Sequence, residues 1–168
     1  MDLEKLSDYH LWANDRAREI ILGLSEEEFT RDVVPPFGSV KRLCVHMVMA
    51  LEYNLLRRAH GEEVDPYEMD EELDAMPVDA LMEHWRNVDL RLRDYALGYS
   101  DHVAVFPNFL GEGEMQVGHD DYFTQYLIHT AYHRAQVMSA MRALGREGVG
   151  TDYLFYLSHL ASQPSRIT

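Results

Sequence analysis

The sequence predicts an all-α protein built around a four-helix bundle. Four long segments repeat their apolar residues at steps of three and four, which is the period of an amphipathic helix. A long crossover follows the second segment, so the four helices are expected to form an antiparallel-type bundle. With 168 residues, no internal repeat and no interior linker, the chain predicts a single domain over residues 1–168.

The first predicted helix runs from about Leu3 to Leu24, with its apolar residues on one face. Ser25 follows it, and Glu28 stands three residues further on. A serine and a glutamate at this spacing form the capping-box pattern, in which each side chain bonds the other's backbone N–H. We therefore expect a short helical turn after the first helix.

The second predicted helix runs from about Ser39 to His60. Pro35 and Pro36 lie before it and are incompatible with helix continuation, while Ser39 is a favoured N-cap residue. Gly61 is the expected stop, because glycine readily adopts the left-handed conformation that ends many helices.

The third and fourth predicted helices complete the bundle. The third begins near Pro77, a residue favoured in a first helical turn. Its apolar stripe consists of Val78, Leu81, Trp85, Val88, Leu92, Tyr95 and Tyr99. The fourth runs from about Asp120 to Leu144, with acidic residues at its start and Gly145 at its end, as the helix dipole and glycine capping favour.

Two further elements are expected outside the bundle. Between the third and fourth helices, short β-favouring runs at 103–105 and 115–117 surround a glycine-rich turn and predict a β-hairpin, with Pro107 acceptable at a sheet edge. The aromatic and aliphatic tail at 151–160 predicts a short final helix. The acidic run at 62–74 has no calcium-loop spacing and is expected to be a solvated loop.

Charge and composition exclude several classes of function. The formal net charge is −14, from 29 acidic and 15 basic residues, so the surface repels phosphate backbones and anionic membranes. No apolar stretch is long enough to span a bilayer, and the N-terminus has no signal-peptide core. The single cysteine cannot form an internal disulfide. We expect a cytoplasmic protein that contacts neither nucleic acid nor membrane.

Three histidines are the candidate functional residues. His129 and His133 stand four residues apart on the apolar face of the fourth helix, so both imidazoles can reach one point. His46 lies on the inward face of the second helix. Three histidine ligands are typical of a zinc site with an open position, although satisfied core histidines are the alternative. Cys44 lies about 160° around the helix from His46 and is not expected to join them.

Other motifs of metal and cofactor chemistry are weaker or absent. A carboxylate-bridged di-iron bundle needs Glu-x-x-His on two helices, and no glutamate here has a histidine three residues later. Thr130 occupies the position where the zinc-protease pattern His-Glu-x-x-His has its general base.

Several motifs resemble those of the DinB/YfiT-like family of metal-binding four-helix bundles, over nearly the whole chain. The run YHLWANDRAREIILGL (Tyr9–Leu24) is similar to the family's opening helix, and VHMVMALEYNLL to its first-histidine segment. The run HTAYHRAQ resembles the family's closing pair, in which His-x-x-x-His is followed by Arg-x-Gln. Ala135 stands where glycine is frequent, and Tyr53 lies near a common tryptophan.

The resemblance implies a divalent ion, zinc or nickel, held by His46, His129 and His133 with waters completing the shell. It also implies a transferase that acts with a low-molecular-weight thiol such as bacillithiol or mycothiol, and a homodimer. The alternatives are a metal-dependent hydrolase of a small substrate and a non-catalytic metal-binding or regulatory bundle.

Further polar residues lie on the helix faces, and each has more than one possible role. His10 is a fourth ligand, a hydrogen-bond donor to a ligand or, as we favour, a satisfied core histidine. Asn14 is expected to bond between helices, and Arg134 and Gln136 are expected to point away from the histidine face. Tyr53 and Tyr126 could orient bound water or simply pack. Arg57 could hold an anionic substrate or pair with an acid.

Overall fold

The computed structural model describes residues 2–98, 101 and 103–163. These residues form seven α-helices, one π-helix (Leu55–Ala59) and one two-stranded antiparallel hairpin. The helices are α1 (Leu3–Ile21), α2 (Glu26–Thr30), α3 (Val40–Asn54), α4 (Pro66–Ala75), α5 (Val78–Leu97), α6 (His119–Ala143) and α7 (Tyr153–Ser162). The strands are β1 (Val103–Pro107) and β2 (Glu114–Gly118).

The four long helices α1, α3, α5 and α6 form the predicted bundle. Helix α1 packs against α5 and α6, and α3 packs against the same two helices. The apolar faces of all four meet in one core that contains the largest fully buried aromatic side chains, Trp85, Tyr122, Phe29 and Phe123. The predicted all-α fold class is therefore confirmed.

The capping residues lie at the helix ends where the sequence predicts them. Ser25 and Glu28 form the reciprocal capping box at the start of α2, and the Ser39 side chain accepts from the backbone N–H of Arg42 at the start of α3. Pro77 is the residue before the first turn of α5, and Gly145 follows α6 with a φ of 74°. Tyr99, predicted on the third stripe, lies outside the described residues.

The second predicted helix differs from a continuous α-helix. Its α-helical part ends at Asn54, and the chain continues as the π-helix to Ala59. At the junction the Asn54 side-chain amide donates to the Ala50 carbonyl oxygen. Such a bond competes with the backbone ladder of an α-helix, which is a physical reason for the change of helix type here.

The acidic run at 62–74 is not simply a solvated loop, because most of it belongs to α4. The Asp65 carboxylate caps this helix by accepting from the N–H groups of Tyr67 and Glu68, and Pro66 occupies its first turn. Leu73 is buried against the core.

The acidic residues of α4 also stabilise its position on the bundle. Asp70 and Asp74 both accept hydrogen bonds from Arg42 of α3. Two carboxylates of α4 are therefore paired with a guanidinium group of α3. The other acidic side chains of α4 face solvent.

The hairpin and the final helix match the sequence prediction. Strand β1 pairs with β2 in a register that places Val103 opposite Gly118 and Pro107 opposite Glu114. Ala104 and Phe106 point inward from β1 and are buried. Helix α7 packs against α1. None of the described helices is long and apolar enough to cross a lipid bilayer.

Candidate metal centre

Three histidine side chains meet between α3 and α6. One nitrogen atom from each of His46, His129 and His133 lies within 4.8 Å of the corresponding atoms of the other two. The ring centroids are 4.7 Å apart for His46 and His133, 4.4 Å for His129 and His133, and 5.5 Å for His46 and His129. The three histidines are thus positioned to hold one metal ion.

The surroundings of His46 and His129 favour neutral imidazoles, the form that binds metals. Burial, followed by the neighbouring His133 and His46, lowers the pKa of His129 to about 4. Burial also lowers the pKa of His46, and His133 and Arg42 add to the effect. These two rings therefore carry free lone pairs near neutral pH.

The Nε2 atom of His129 fits the presence of a ligand. This atom is buried and has no hydrogen-bond partner among the described residues. A buried ring nitrogen without a partner is costly, and metal ligation would satisfy it. Three imidazoles form a donor set that suits divalent transition metals in general, including zinc, copper, iron and nickel.

Gln136 holds His133 in one orientation. The side-chain oxygen of Gln136 accepts a hydrogen bond from Nδ1 of His133, with 2.6 Å between the two atoms. Since Nδ1 carries the proton in this bond, Nε2 keeps the lone pair that a metal requires. The prediction that Gln136 points away from the histidine face was wrong, because residues three apart on a helix are neighbours.

Phe37 covers one side of the cluster. Its ring centroid lies 4.8 Å from that of His46 and 5.5 Å from that of His133. The loop that carries Phe37 is tightened by three backbone hydrogen bonds between 33–34 and Gly38. Gly38 has a φ of 93°, a conformation that favours glycine and lets the chain reverse just before α3.

A cavity of about 460 Å³ lies beside the histidines, between α3, α6 and the hairpin. His129 belongs both to the histidine cluster and to the cavity wall. The other lining residues are Ala50, Asn54, Phe106, Pro107, Phe109, Met115, Val117, Asp121, Tyr122, Gln125 and Tyr126. The volume suits a small organic molecule. A bound ion would therefore border on a space large enough for a small molecule.

His10 and Asn14 lie in a separate buried polar network that joins α1, α5 and α6. Nε2 of His10 is 3.0 Å from Oδ1 of Asp89, and Asn14 donates to the other oxygen of Asp89. Arg18 also donates to Asp89, and Arg134 donates to Asn14 and thus ties α6 to α1. His10 is therefore a bonded core histidine, and Asn14 links helices as predicted.

Asp89 is the charged centre of that network. Burial raises the pKa of its carboxyl group, but the charges and hydrogen bonds of His10 and Arg18 outweigh burial, so the pKa lies below its usual value. Asp89 is consequently a buried carboxylate with a buried counter-charge.

The remaining candidates do not join the three histidines. Tyr53 accepts a hydrogen bond from Arg57 at 2.7 Å, and Arg57 is exposed. Cys44 is fully buried, burial raises the pKa of its thiol to about 12, and it lies outside the histidine group as expected. Tyr126 lines the cavity beside His129 and thus contributes to the wall of the site.

Sequence reasoning missed Phe37 and the hairpin residues of the cavity wall. Gln136 carried a usable signal, namely its spacing of three from His133 and its place in the His-x-x-x-His-Arg-x-Gln run. Phe37 and Met115 carried none, because the position of Phe37 beside the histidines and of Met115 in the cavity wall depends on how distant segments pack.

The fold and the site together define a class of protein, a helical bundle with three inward histidines positioned to hold a metal ion. The chain belongs to the DinB family, whose family model matches residues 1–165. It is similar to the crystal structure of a DinB-like protein from Bacillus cereus ATCC 10987, with a TM-score of 0.56 and 17% sequence identity. The similarity covers 82% of this chain and 91% of that one. None of the curated proteins compared matches the chain.

Proposed function

We propose that the chain binds one zinc or nickel ion through His46, His129 and His133, and that it transfers a low-molecular-weight thiol to an electrophilic substrate. The observation that carries this proposal is the position of His129, which belongs to the histidine cluster and also to the wall of the cavity. A thiol bound at the cluster and an electrophile bound in the cavity would therefore lie side by side.

The donor set supports an open centre rather than a closed structural one. Structural zinc sites usually have four protein ligands, commonly with cysteines. Here the group has three histidines, and no cysteine or carboxylate of the described residues belongs to it. Three neutral imidazoles leave a divalent ion its full charge, and an ion bound in this way favours the deprotonated form of a thiol or of water.

The residues around the histidines have separable tasks in this proposal. Gln136 keeps the His133 ring in the tautomer that can bind, and Phe37 covers two of the three rings against solvent. The aromatic walls of the cavity, Tyr122 and Tyr126, hold the electrophile and exclude water from its reacting atom.

The proposed transfer is a nucleophilic substitution. The thiol gives its proton to solvent, and a sulfur lone pair forms the new carbon–sulfur bond. The leaving group departs with the electron pair of the bond that breaks. No oxidant or reductant is needed, because thiol and electrophile together supply every atom and electron of the thioether and the acid that result.

Hydrolysis is the second candidate reaction and has weaker support. A metal-dependent hydrolase usually needs a general base close to its bound water. Thr130 stands beside His129 where the zinc-protease pattern has a glutamate, and Thr130 is buried. For this reason we place thiol transfer ahead of hydrolysis.

A conjugation assay tests the proposal. Purified protein loaded with zinc or nickel is mixed with a panel of thiols, including bacillithiol and mycothiol, and with monochlorobimane as the electrophile. We expect metal-dependent formation of the fluorescent thioether, lost in His133→Ala and on chelation, and retained in His159→Ala, which changes an exposed histidine of α7.

Bound metal without turnover over the whole thiol panel would refute the transferase proposal and favour a non-catalytic metal-binding protein. Turnover of ester substrates with no thiol dependence would favour the hydrolase instead.

A further inference from the structure

The wall of the cavity beside His129 is mainly apolar and aromatic. Apolar and aromatic side chains from α6 and the hairpin dominate it, with Phe106 and Tyr122 at 6.0 Å and Tyr122 and Tyr126 at 5.0 Å between ring centroids. Among the lining residues that the structure describes, none is a lysine or an arginine. Asp121 is the one carboxylate in this described part of the wall.

Helix α6 supplies five of the described lining residues, from Asp121 to His129. Asp121 and His129 are eight residues apart on this helix, which corresponds to about 12 Å along its axis. Tyr122, Gln125 and Tyr126 line the cavity between them. A flat molecule of about this length would therefore touch aromatic rings along its body and reach the histidines at one end and a carboxylate at the other.

We propose that the cavity binds the electrophilic co-substrate, and that this molecule is an aromatic or similarly apolar compound with a positively charged group at the Asp121 end. Three observations favour a cation over an anion. Asp121 offers an opposite charge, the aromatic faces attract cations, and the net charge of −14 repels anions from the entire surface. The proposal rests on the proposed function in its choice of co-substrate, whereas the binding preference itself does not depend on a metal.

Three probes of similar size test the charge preference: 2-naphthylmethylamine, 2-naphthylmethanol and the anion of 2-naphthaleneacetic acid, which are cationic, neutral and anionic. Binding to the full chain is measured by equilibrium dialysis, once with zinc added and once after chelation. Without metal we expect the amine to bind most tightly, by up to about fivefold over the alcohol, and the anion most weakly. The measurement after chelation separates this inference from the metal proposal. It reports the binding preference of the cavity whether or not the histidines can bind an ion.

Two matched pairs of variants locate the binding site. Asp121→Asn should bring the affinity of the amine down to that of the alcohol, whereas Asp120→Asn, an equal charge change at a residue that does not line the cavity, should leave the preference unchanged. Phe109→Ala should weaken all three probes by about threefold to tenfold through lost aromatic contact, whereas Leu110→Ala should not. Phe109 and Leu110 are both exposed at the hairpin tip, so neither change should affect folding.

The proposal is overturned if none of the probes binds saturably, or if the anion binds as tightly as the amine after chelation. Equal effects of the two aspartate variants, or of the two hairpin variants, would overturn it as well. If the protein binds no zinc in the measurement with added zinc, that result would count against the proposed metal centre and not against this inference.

Discussion

Replacing Gln136 should weaken metal binding without altering any of the three ligands. Gln136→Leu removes the oxygen that accepts from Nδ1 of His133 and keeps a side chain of similar size. The His133 ring then loses the bond that fixes its tautomer and orientation. It therefore spends a larger fraction of the time in tautomers and orientations that cannot bind an ion.

The expected size follows from the geometry of that bond. At 2.6 Å it is shorter than an ordinary N–H···O bond of about 2.9 Å, so it belongs at the strong end of the range for neutral groups, about 1.5 kcal/mol. This free energy corresponds to about a tenfold change in affinity. In other proteins, removing the hydrogen-bond partner of a metal-bound histidine lowers metal affinity or activity by about 10- to 100-fold. We therefore expect Gln136→Leu to lower the zinc affinity by about tenfold.

Competition with a fluorescent zinc chelator measures this change. Gln136→Glu is the conservative control, because its carboxylate can accept the same hydrogen bond, and its affinity should equal or exceed that of the wild type. Zinc affinity in Gln136→Leu within twofold of the wild type would refute the reasoning, and so would an equal loss in both variants.

Three further predictions concern the fold around the site. Asp89→Asn removes the buried counter-charge of Arg18 and should cost about 3–5 kcal/mol, lowering Tm by about 6–20 °C in a thermal melt; an unchanged Tm would contradict it. His84→Gln tests pH dependence. The hydrogen bond with Glu52 raises the pKa of His84, so its stabilisation is complete below about pH 6.5 and is lost as the pH rises through the folded-state pKa. In urea unfolding, the stability difference between wild type and His84→Gln should shrink from about pH 5.5 to about pH 8.5; a constant difference would count against this ion pair. Gly38→Ala forces a side chain into a φ of 93° and should lower the free energy of unfolding by about 1–2 kcal/mol, although the added Cβ meets no neighbour; equal stability by urea unfolding would disprove the strain.

Local sequence signals predicted the bundle well. Helical periodicity and capping residues such as Ser25, Ser39 and Gly145 act within one or two turns, so they can be recognised without knowledge of the fold. The histidine cluster was also accessible, because the spacing of His129 and His133 fixes their common face once the segment is helical.

Charge misled the interpretation of the segment that became α4. Its acidic residues predicted a solvated loop, but Arg42 of α3 pairs with two of them and Leu73 enters the core. The cap at Asp65 and the proline after it were the local signals for a helix. Pairing across helices cannot be read from one segment alone.

The cavity was beyond sequence reasoning for a similar reason. Its wall combines α3, α6 and both strands of the hairpin, and its shape depends on where Phe106 and Met115 pack. Asn54, at the change from α- to π-helix, lines the same cavity.

The metal content of single-histidine variants tests the central claim most directly. Wild type and His159→Ala, purified with zinc and then dialysed, should contain about one ion per chain by elemental analysis. His46→Ala, His129→Ala and His133→Ala should each fall below about a tenth of that amount, with helical circular dichroism largely unchanged. Full occupancy in any of these three variants, or a wild type that retains no ion, would contradict the account.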